Sequence, residues 1–374
     1  MADSDTRTPD LPVDLDDDAT FGHLDSAGML KMARAFPEHC RRGLAIGREA
    51  RVPQGWGEGL RSIVSVGMGG SAIGGDLVAA AFADRAPCPI TVVRYYELPR
   101  HVNADTLLIA ASYSGNTEEV LTAARQALDR KARLVGITSG GGLGALCEQA
   151  GAPLALVPGG QPPRASTGYL LMPMVALLGK LGLVGDITQE CDEALRVLEA
   201  MSEELAPATP TADNPAKRLA LALYGRLPML YAATPMLAPV AFRWRTQINE
   251  NSKSLAMSQE LPELDHNEVV GWEKGPSVLK DPIVVVIASP GDPPRMRTRL
   301  DITRQIIGDK SPVRIEAGRG ESRLAQILSA MYLGDMMSLY LAFLHGVDPV
   351  TIEAINFLKG KLKEEPLDWR YSTP

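Results

Sequence analysis

The chain has 374 residues, a formal net charge of -7 and a hydrophobic fraction of 45%. This length exceeds that of a typical single domain, so we expect two domains, and the apolar content is sufficient to build a core in each. The acidic balance leaves no basic stripe for a nucleic-acid backbone, which argues against nucleic acid as a partner.

The cysteines and the N-terminal composition bear on the cellular compartment. The four cysteines form no Cys-x-x-Cys pair and show no metal-ligand spacing with the five histidines, so we expect reduced thiols, no disulfides and no structural zinc. The chain has no uncharged apolar run long enough to span a membrane, and its first residues are acidic rather than basic and then apolar. The sequence therefore predicts a cytoplasmic protein with neither a membrane span nor a signal peptide.

Two segments precede the first predicted strand. Residues 1–20 are rich in aspartate and poor in large apolar side chains. This composition predicts a disordered leader, because the segment buries too little surface to offset its ordering entropy. From residue 21 to residue 51 apolar side chains recur at helical spacing, with an interruption at Pro37. This pattern predicts one or two scaffold helices.

Strands then alternate with helices. The pattern predicts strands at 63–66, 90–95, 107–111, 133–138 and 154–157, and helices at 118–131, 143–150 and 167–183. Such alternation is typical of a parallel, doubly wound sheet. Because ligands bind at the carboxyl ends of the strands in this architecture, we expect the glycine-rich turn at 67–76 and the hydroxyl-rich turn at 112–117 to face one pocket.

The glycine-rich turn reads Gly-Met-Gly-Gly-Ser-Ala-Ile-Gly-Gly-Asp. Its glycines would let a ligand approach the backbone closely. It lacks the spacing of the dinucleotide fingerprint and the Gly-Lys-Ser/Thr ending of a nucleotide P-loop, so we exclude both of those sites. A purely structural strand-to-helix junction is the alternative.

The stretch 112–119, Ser-Tyr-Ser-Gly-Asn-Thr-Glu-Glu, lies between a predicted strand and a predicted helix. The unpaired N–H groups and the dipole at such a helix start favour phosphate binding. Ser112, Ser114 and Thr117 would add hydroxyl donors. The alternative is a serine-rich N-cap that serves only the helix.

Arg164 precedes the predicted helix 167–183, and it is either an exposed side chain or a positive charge directed at an anion. The Pro/Thr-rich segment 206–215 lies between two predicted helices and is the predicted linker. The second unit then repeats the first in outline, with predicted strands at 229–233, 283–288 and 313–317 and predicted helices at 240–257, 295–307, 324–344 and 348–362.

Polar residues of the second half form two clusters and a tail. The patch 247–253, Gln-Ile-Asn-Glu-Asn-Ser-Lys, ends an otherwise apolar helix, and a solvated helix face is the alternative for Glu250. His266 lies among carboxylates and titrates near neutral pH, although exposed histidines without a function are common. Lys359, taken alone, is an exposed charge on the tail helix.

These motifs resemble, in order, those of the bifunctional phosphoglucose/phosphomannose isomerases, a branch of the sugar isomerase (SIS) superfamily. The resemblance covers residues from about 60 to 363. It implies an α/β fold of two SIS-type, flavodoxin-like α/β/α sandwich domains with mainly parallel sheets. The N-terminal domain would span 21–205 and the C-terminal domain 216–374.

The resemblance also implies roles for individual residues. The substrate phosphate would be held by Gly70, Ser71, Ser112, Ser114 and Thr117. Glu250 would be the base that moves a proton between C1 and C2, and Arg164 the cation that stabilises the enediolate. His266 and Lys359 would open and close the sugar ring.

In this family the histidine comes from the neighbouring subunit, so the resemblance implies a homodimer with His266 contributed across the interface. A phosphosugar is the expected ligand, and no cofactor or metal is implied. Thr351 is the candidate for the threonine that the family associates with activity on mannose 6-phosphate. Asp265 stands where many relatives have Asn, and it would raise the pKa of His266 if its carboxylate lay near that ring.

Two other functions fit the same motifs. One is a SIS module that senses a phosphosugar and regulates a partner without catalysis, and the other is an isomerase for an amino-sugar or heptose phosphate. The chemistry favours the isomerase for glucose 6-phosphate, mannose 6-phosphate and fructose 6-phosphate, because isomerisation requires a positioned base and a cation for the developing oxyanion. Glu250 and Arg164 supply that pair.

Overall fold

In the computed structural model, which describes residues 13–273, 281–362 and 364, each half of the chain forms a parallel sheet. The first sheet contains Ser62–Val66 (β1), Ile90–Val93 (β2), Thr106–Ala111 (β3), Arg133–Thr138 (β4) and Leu154–Leu156 (β5), in the order β2-β1-β3-β4-β5. The second contains Leu227–Ala232 (β6), Met257–Glu260 (β7), Pro282–Ala288 (β8) and Val313–Ala317 (β9), in the order β7-β6-β8-β9.

Helices connect these strands. Those of the first half are Asp18–Leu24 (α1), Met29–Arg34 (α2), Phe36–Glu49 (α3), Gly70–Ala81 (α4), Glu118–Asp129 (α5), Gly141–Ala150 (α6), Thr167–Lys180 (α7) and Thr188–Glu204 (α8). Those of the second half are Pro215–Leu223 (α9), Ala238–Ser252 (α10), Glu268–Gly271 (α11), Pro294–Ile307 (α12), Arg323–Leu344 (α13) and Glu353–Leu362 (α14). Short 3₁₀ helices occupy Pro163–Ala165, Pro235–Leu237, Glu263–His266 and Gly308–Lys310.

Both sheets are buried on two faces. In β3 Leu107 and Ile109 belong to one core and Leu108 and Ala110 to another, because successive side chains of a strand point to opposite sides. The strands of the second sheet divide in the same way between two cores. The predicted α/β class with parallel sheets and flanking helices is therefore confirmed, and the order of the first sheet is that of flavodoxin.

One hydrophobic core connects the two halves, and α13 lies within it. This core contains residues of both sheets, of α3 and α7 from the first half and of α13 from the second. Among the described residues α13 is the helix that is long and apolar enough to cross a membrane, and its whole apolar window is buried inside the protein. Its apolar character is thus accounted for by packing in the core.

The chain after α10 differs from the prediction. The predicted helix continued to Met257, but α10 ends at Ser252, because Lys253 adopts a left-handed conformation with a φ of 53°. Met257 instead begins β7, an edge strand that the sequence pattern did not reveal because three of its four residues are polar.

The predicted leader is partly wrong. Residues 1–12 lie outside the described residues, but residues 13–20 are folded: Leu15 is buried, and the Asp16 carboxylate lies 2.9 Å from the Nζ atom of Lys217. The prediction of disorder failed here because composition does not reveal tertiary partners such as Lys217, which lies in the second half of the chain.

The segment 206–215 connects α8 to α9 through turns. The segment is anchored to the rest of the protein, because the backbone N–H of Thr211 donates to Asp16 and the side chain of Asn214 caps α9. The position of the domain boundary within this segment stays a prediction.

Candidate active site

The glycine-rich turn leads directly into α4. Gly69 has a φ of 51°, and no side chain caps the helix that begins at Gly70. A Cβ atom on Gly70 would lie 3.0 Å from the carbonyl oxygen of Pro163 and 3.3 Å from the Cα of Arg164. The turn therefore packs against the 3₁₀ helix that carries Arg164, and glycine permits this close approach.

The hydroxyl-rich turn lies beside the glycine-rich turn. The Oγ of Ser71 accepts a 3.3 Å hydrogen bond from the backbone N–H of Tyr113. The predicted juxtaposition of the two turns is thus observed. Gly115 has a φ of 70°, and a Cβ atom there would lie 1.8 Å from the carbonyl oxygen of Gly140. Only glycine fits this position without displacing the neighbouring loop.

The hydroxyl groups of this turn bond within the turn itself. Ser112 Oγ lies 2.9 Å from Thr117 Oγ1 and accepts from the N–H of Gly115 at 3.1 Å. Ser114 Oγ accepts from the N–H of Asn116 at 3.3 Å. Thr117 occupies the N-cap position of α5, but its side chain makes no capping hydrogen bond. The N-cap alternative therefore does not explain this threonine, and the start of α5 has no side-chain cap.

Arg164 is buried. The alternative interpretation of Arg164 as an ordinary exposed side chain is therefore wrong. Its guanidinium donates to Glu250 Oε1 at 2.9 Å, to Asn251 Oδ1 at 2.8 Å and to the carbonyl oxygen of Pro349 at 2.6 Å. Only 4% of Arg164 is exposed, and this burial lowers its pKa, although an arginine stays protonated in proteins. All three acceptors belong to the second half of the chain.

Glu250 lies at the end of α10 with 30% of its side chain exposed. Its Oε1 atom accepts the bond from Arg164, whereas its Oε2 atom has no hydrogen-bond partner among the described residues. The carboxylate is therefore oriented through Oε1, which leaves Oε2 as the candidate for the catalytic base. A merely solvated helix face does not describe this arrangement, in which the two halves of the chain contribute opposite charges at 2.9 Å.

Lys253 adds a second cation that the residue-by-residue sequence interpretation missed. Its Nζ atom donates to the carbonyl oxygens of Glu250 at 2.7 Å and of Pro349 at 3.1 Å. Partial burial of the ammonium and the nearby charge of Arg164 lower the pKa of Lys253. Its place in the Asn-Glu-Asn-Ser-Lys motif was the available signal.

His266 does not join this cluster within one chain. It is exposed on the 3₁₀ helix Glu263–His266, and no side-chain hydrogen bond or ion pair connects it to another described residue. The Asp265 carboxylate binds Arg299 at 3.1 Å and Thr303 at 2.9 Å, both on α12. The Asp265 carboxylate is thus directed to α12. Among the described residues it makes no contact with the His266 ring, the contact that an effect of Asp265 on His266 would require.

Thr351 and Lys359 occupy the C-terminal segment. Thr351 lies two residues after Pro349, the shared acceptor of Arg164 and Lys253, and its hydroxyl donates to the carbonyl oxygen of Asp348 at 3.0 Å. Lys359 lies on α14 and is exposed, without a described contact to Glu250. Thr351 is therefore close in sequence to a residue that contacts the charged cluster, whereas the side chain of Lys359 is exposed to solvent.

Comparison with known families agrees with this two-part organisation. The SIS domain family matches residues 60–155. The family described as bacterial phospho-glucose isomerase C-terminal SIS domain matches residues 212–362. The first match contains the phosphate-loop candidates, the second contains Glu250 and Lys253, and Arg164 lies between the two matched ranges.

Relatives match most of the chain. A bifunctional phosphoglucose/phosphomannose isomerase of Caldicellulosiruptor bescii is 39% identical over 90% of this chain and 99% of its own length, and one of Aquifex aeolicus is 37% identical over 81% and 91%. A glucose-6-phosphate isomerase like protein from Thermus thermophilus shares the fold, with a TM-score of 0.61 at 21% identity over 94% of this chain and 99% of that one. On this similarity the chain belongs to the bifunctional phosphoglucose/phosphomannose isomerase family.

Proposed function

We propose that this chain interconverts glucose 6-phosphate and mannose 6-phosphate with fructose 6-phosphate. The observation that carries the proposal is the contact of Arg164 with Glu250, in which a buried cation from one half meets a partly exposed carboxylate from the other at 2.9 Å. A regulator that only binds a phosphosugar has no use for this pair. The names of the relatives support the same reaction.

The phosphate would bind where the two turns meet. The hydroxyl oxygens of Ser71 and Ser114 accept backbone hydrogen bonds, and their own hydrogens have no acceptor among the described residues. The Ser112 and Thr117 pair needs only one of its two hydrogens for its mutual bond. Hydroxyl donors and uncapped helix starts together suit a phosphate dianion. Binding the phosphate there would orient the reacting carbons without contacting them.

The proton transfer would use the free oxygen of Glu250. Its Oε2 atom removes the proton from C2 of the open-chain aldose, and the C–H electron pair becomes the C1–C2 double bond of a cis-enediolate. Arg164 stabilises the negative charge that develops on the C1 oxygen. Glu250 then returns the proton to C1 while the hydroxyl proton of O2 passes to O1, which leaves the ketose. The base accepts the proton and the cation stabilises the developing negative charge, so the proposed mechanism is metal-free.

Mannose 6-phosphate differs from glucose 6-phosphate only at C2, so activity on both sugars requires C2 to be protonated on either face. Thr351 is the proposed determinant, since it lies two residues from the carbonyl of Pro349 that binds Arg164. Removal of its hydroxyl would change the ratio of turnover of mannose 6-phosphate to turnover of glucose 6-phosphate more than it would change the total of the two.

We infer that the active form is a homodimer in which His266 reaches the site of the neighbouring subunit. His266 and Lys359 are both exposed and lack contacts with Glu250 among the described residues, although ring opening needs an acid and a base near the substrate. α14 also exposes large apolar residues, with Phe357 71% accessible. A second copy of the chain would cover these apolar residues at the dimer interface. We also propose a cytoplasmic location for the dimer.

The test is an assay of substrate turnover over a panel of hexose, amino-sugar and heptose phosphates, in which fructose 6-phosphate is the product measured for glucose 6-phosphate and mannose 6-phosphate. The wild-type chain is expected to convert glucose 6-phosphate and mannose 6-phosphate. Glu250→Gln is expected to lower kcat by about 10² to 10⁴, the usual contribution of a positioned base, and to retain binding of fructose 6-phosphate. Glu203→Gln is the matched control, because Glu203 is an exposed glutamate outside the cluster.

Each alternative has a distinct result in this assay. Saturable phosphosugar binding without turnover by the wild type would identify a regulator, and turnover confined to an amino-sugar or heptose phosphate would identify another isomerase. Wild-type kcat in Glu250→Gln would remove the base assignment.

A further inference from the structure

Two polar residues lie one turn apart in the middle of the buried and largely apolar helix α13. Asp335 and Ser338 are both buried, and each makes side-chain hydrogen bonds to α10. A carboxylate in such a place is costly to desolvate unless it is paired. Each of the two residues is connected to Arg164 through one intermediate side chain of α10.

The first connection runs through a buried ion pair to the backbone of Arg164. The carboxylate of Asp335 accepts from Nε of Arg243 at 2.9 Å and from its Nη2 at 3.0 Å. The same Nη2 group donates to the carbonyl oxygen of Arg164 at 2.6 Å. The bidentate pair fixes the orientation of Arg243, and Arg243 in turn fixes the 3₁₀ turn that carries Arg164.

The second connection runs to the guanidinium of Arg164. Ser338 Oγ accepts from the Nδ2 of Asn251 at 2.9 Å and donates to the carbonyl oxygen of Asp335 at 2.7 Å. With its Nδ2 held in this way, Asn251 presents Oδ1 to the Nε of Arg164 at 2.8 Å. Both ends of Arg164, its backbone and its side chain, are thus held from α13.

The energetics favour a role in geometry over a role in stability. Both members of the Arg243–Asp335 pair are almost fully buried, and the desolvation of two buried charges offsets much of their attraction. Apolar residues of similar volume would serve the core as well. A buried polar network instead holds its members in one arrangement, because each unpaired group would be costly.

We propose that Asp335, Arg243 and Ser338 are positioning residues that hold Arg164 in the orientation required to stabilise the enediolate. The proposal rests on the proposed function of Arg164 and names the groups on which that function depends. These residues act through Arg164 and its neighbour Asn251 rather than on the substrate.

The first experiment replaces the ion pair by apolar residues in the double variant Arg243→Met/Asp335→Leu, a change that leaves no unpaired buried charge. We expect kcat to fall by about 10- to 100-fold, since small displacements of a catalytic group cost this much, while KM for fructose 6-phosphate stays within about twofold. Arg319→Met/Glu204→Leu is the control, because that ion pair has no contact with Arg164. Its kcat is expected to equal that of the wild type.

The second experiment is a double-mutant cycle with the milder change Ser338→Ala. Alone it is expected to lower kcat by about fivefold, and in an Arg164→Ala background it is expected to have no effect, because coupled residues are not additive. Binding of arabinonate 5-phosphate, whose carboxylate mimics the enediolate, should weaken in parallel with kcat, whereas binding of fructose 6-phosphate should not.

The outcomes separate the positioning role from the proposed function. If Arg164→Ala has a kcat that is strongly reduced but still measurable, and the apolar double variant is folded with wild-type kcat, the positioning role alone is overturned. An equal effect of Ser338→Ala in both backgrounds also overturns it. If Arg164→Ala retains wild-type turnover, the proposed function of Arg164 fails and the positioning role fails with it.

Discussion

Arg164 is held by three acceptors that lie in different directions, and this explains why arginine rather than lysine stands there. Its planar guanidinium donates through three different nitrogens to Asn251, Glu250 and Pro349. Lysine has one nitrogen on a flexible stem and cannot reproduce this fork. Two of the five N–H groups of the guanidinium are left by these bonds, so the cation retains donors for a substrate oxygen.

His39 is a buried histidine behind the phosphate-loop candidates. Its ring stacks on Tyr169 at 4.5 Å, and its Nε2 lies 3.2 Å from the Nε2 of Gln161, whose backbone N–H donates to the hydroxyl of Tyr113 in the hydroxyl-rich turn. Because the side-chain amide nitrogen of Gln161 is a donor, His39 Nε2 is the acceptor, which is the neutral form of the ring. Burial, followed by the charge of Arg42, lowers the pKa of His39.

This depressed pKa predicts a pH-dependent loss of stability. The unfolded chain binds the proton at the ordinary pKa of about 6.5, whereas the folded chain resists it, so the contribution of His39 is complete above about pH 6.5 and is lost as the pH falls toward its folded pKa. We expect His39→Phe to show a smaller decrease in Tm between pH 7.5 and pH 5.5 than the wild type. Differential scanning fluorimetry across that range measures this.

His101→Phe is the control for the pH experiment, because His101 is exposed and the chemical change is the same. Its Tm is expected to follow the wild-type curve. A His39→Phe curve that runs parallel to the wild-type curve over the whole range would contradict the assignment.

At the level of elements, α10 and α13 pack so closely that one position must be glycine. A Cβ atom on Gly334 would lie 2.0 Å from the Nε1 of Trp244, which is itself buried and donates to the carbonyl oxygen of Ala330 at 2.9 Å. The two helices carry Glu250, Arg243 and Asp335 between them. Their separation therefore sets the geometry of the site as well as the stability of the core.

Gly334→Ala is accordingly expected to destabilise the protein by about 1 to 3 kcal/mol, the usual cost of overpacking a core, and to shift the urea unfolding midpoint downward. Gly360→Ala is the matched control, because Gly360 lies in α14 with open space around its Cα. That change is expected to be neutral or stabilising by up to about 1 kcal/mol, since alanine favours a helix. Equal midpoints for the two variants would refute the packing argument.

The strands and helices of both sheets could largely be predicted because their apolar patterns are local. β4 and β9 have the predicted bounds, and β3 differs by one residue. The pattern failed where tertiary partners decide the structure: β7 is mostly polar and paired only on one side, and Asp16 pairs with Lys217 of the second half of the chain. Neither partner is visible in the neighbouring sequence.

At the scale of the whole molecule, the site depends on contacts between distant parts of the chain. Motif order was sufficient to identify the family and the residues Arg164 and Glu250, but the 2.9 Å contact between them joins positions 86 residues apart. The supporting residues Arg243, Asp335 and Ser338 could not be predicted, because each resembles an ordinary core-helix position until its partners are known. The assignments of His266 and Lys359 stay predictions.

The proposed dimer predicts recovery of activity when two inactive variants are mixed. Glu250→Gln and His266→Gln are each expected to be inactive as homodimers. In a mixed dimer one site would contain an intact Glu250 and receive the intact His266 of its neighbour. Random pairing makes half of the dimers mixed, each with one complete site, so equal amounts refolded together should reach about a quarter of wild-type turnover in a symmetric dimer.

Mixing Glu250→Gln with Arg164→Ala provides the control, because these two residues would belong to the same site, and any recovery there would have to arise from something other than His266. It differs from the first experiment only in the second variant. Absence of recovery with His266→Gln, together with a dimer seen by light scattering, would show that the histidine does not act across the interface.

The buried carboxylate in α13 has a consequence for the synthesis of the protein. A nascent segment of 22 residues that is apolar over most of its length approaches the composition of a segment that the membrane-insertion machinery accepts. Asp335 lies near the middle of this segment, where an aspartate raises the free energy of insertion by about 3 kcal/mol. The side chain that anchors Arg243 in the folded protein therefore also opposes diversion of the unfolded chain into a bilayer.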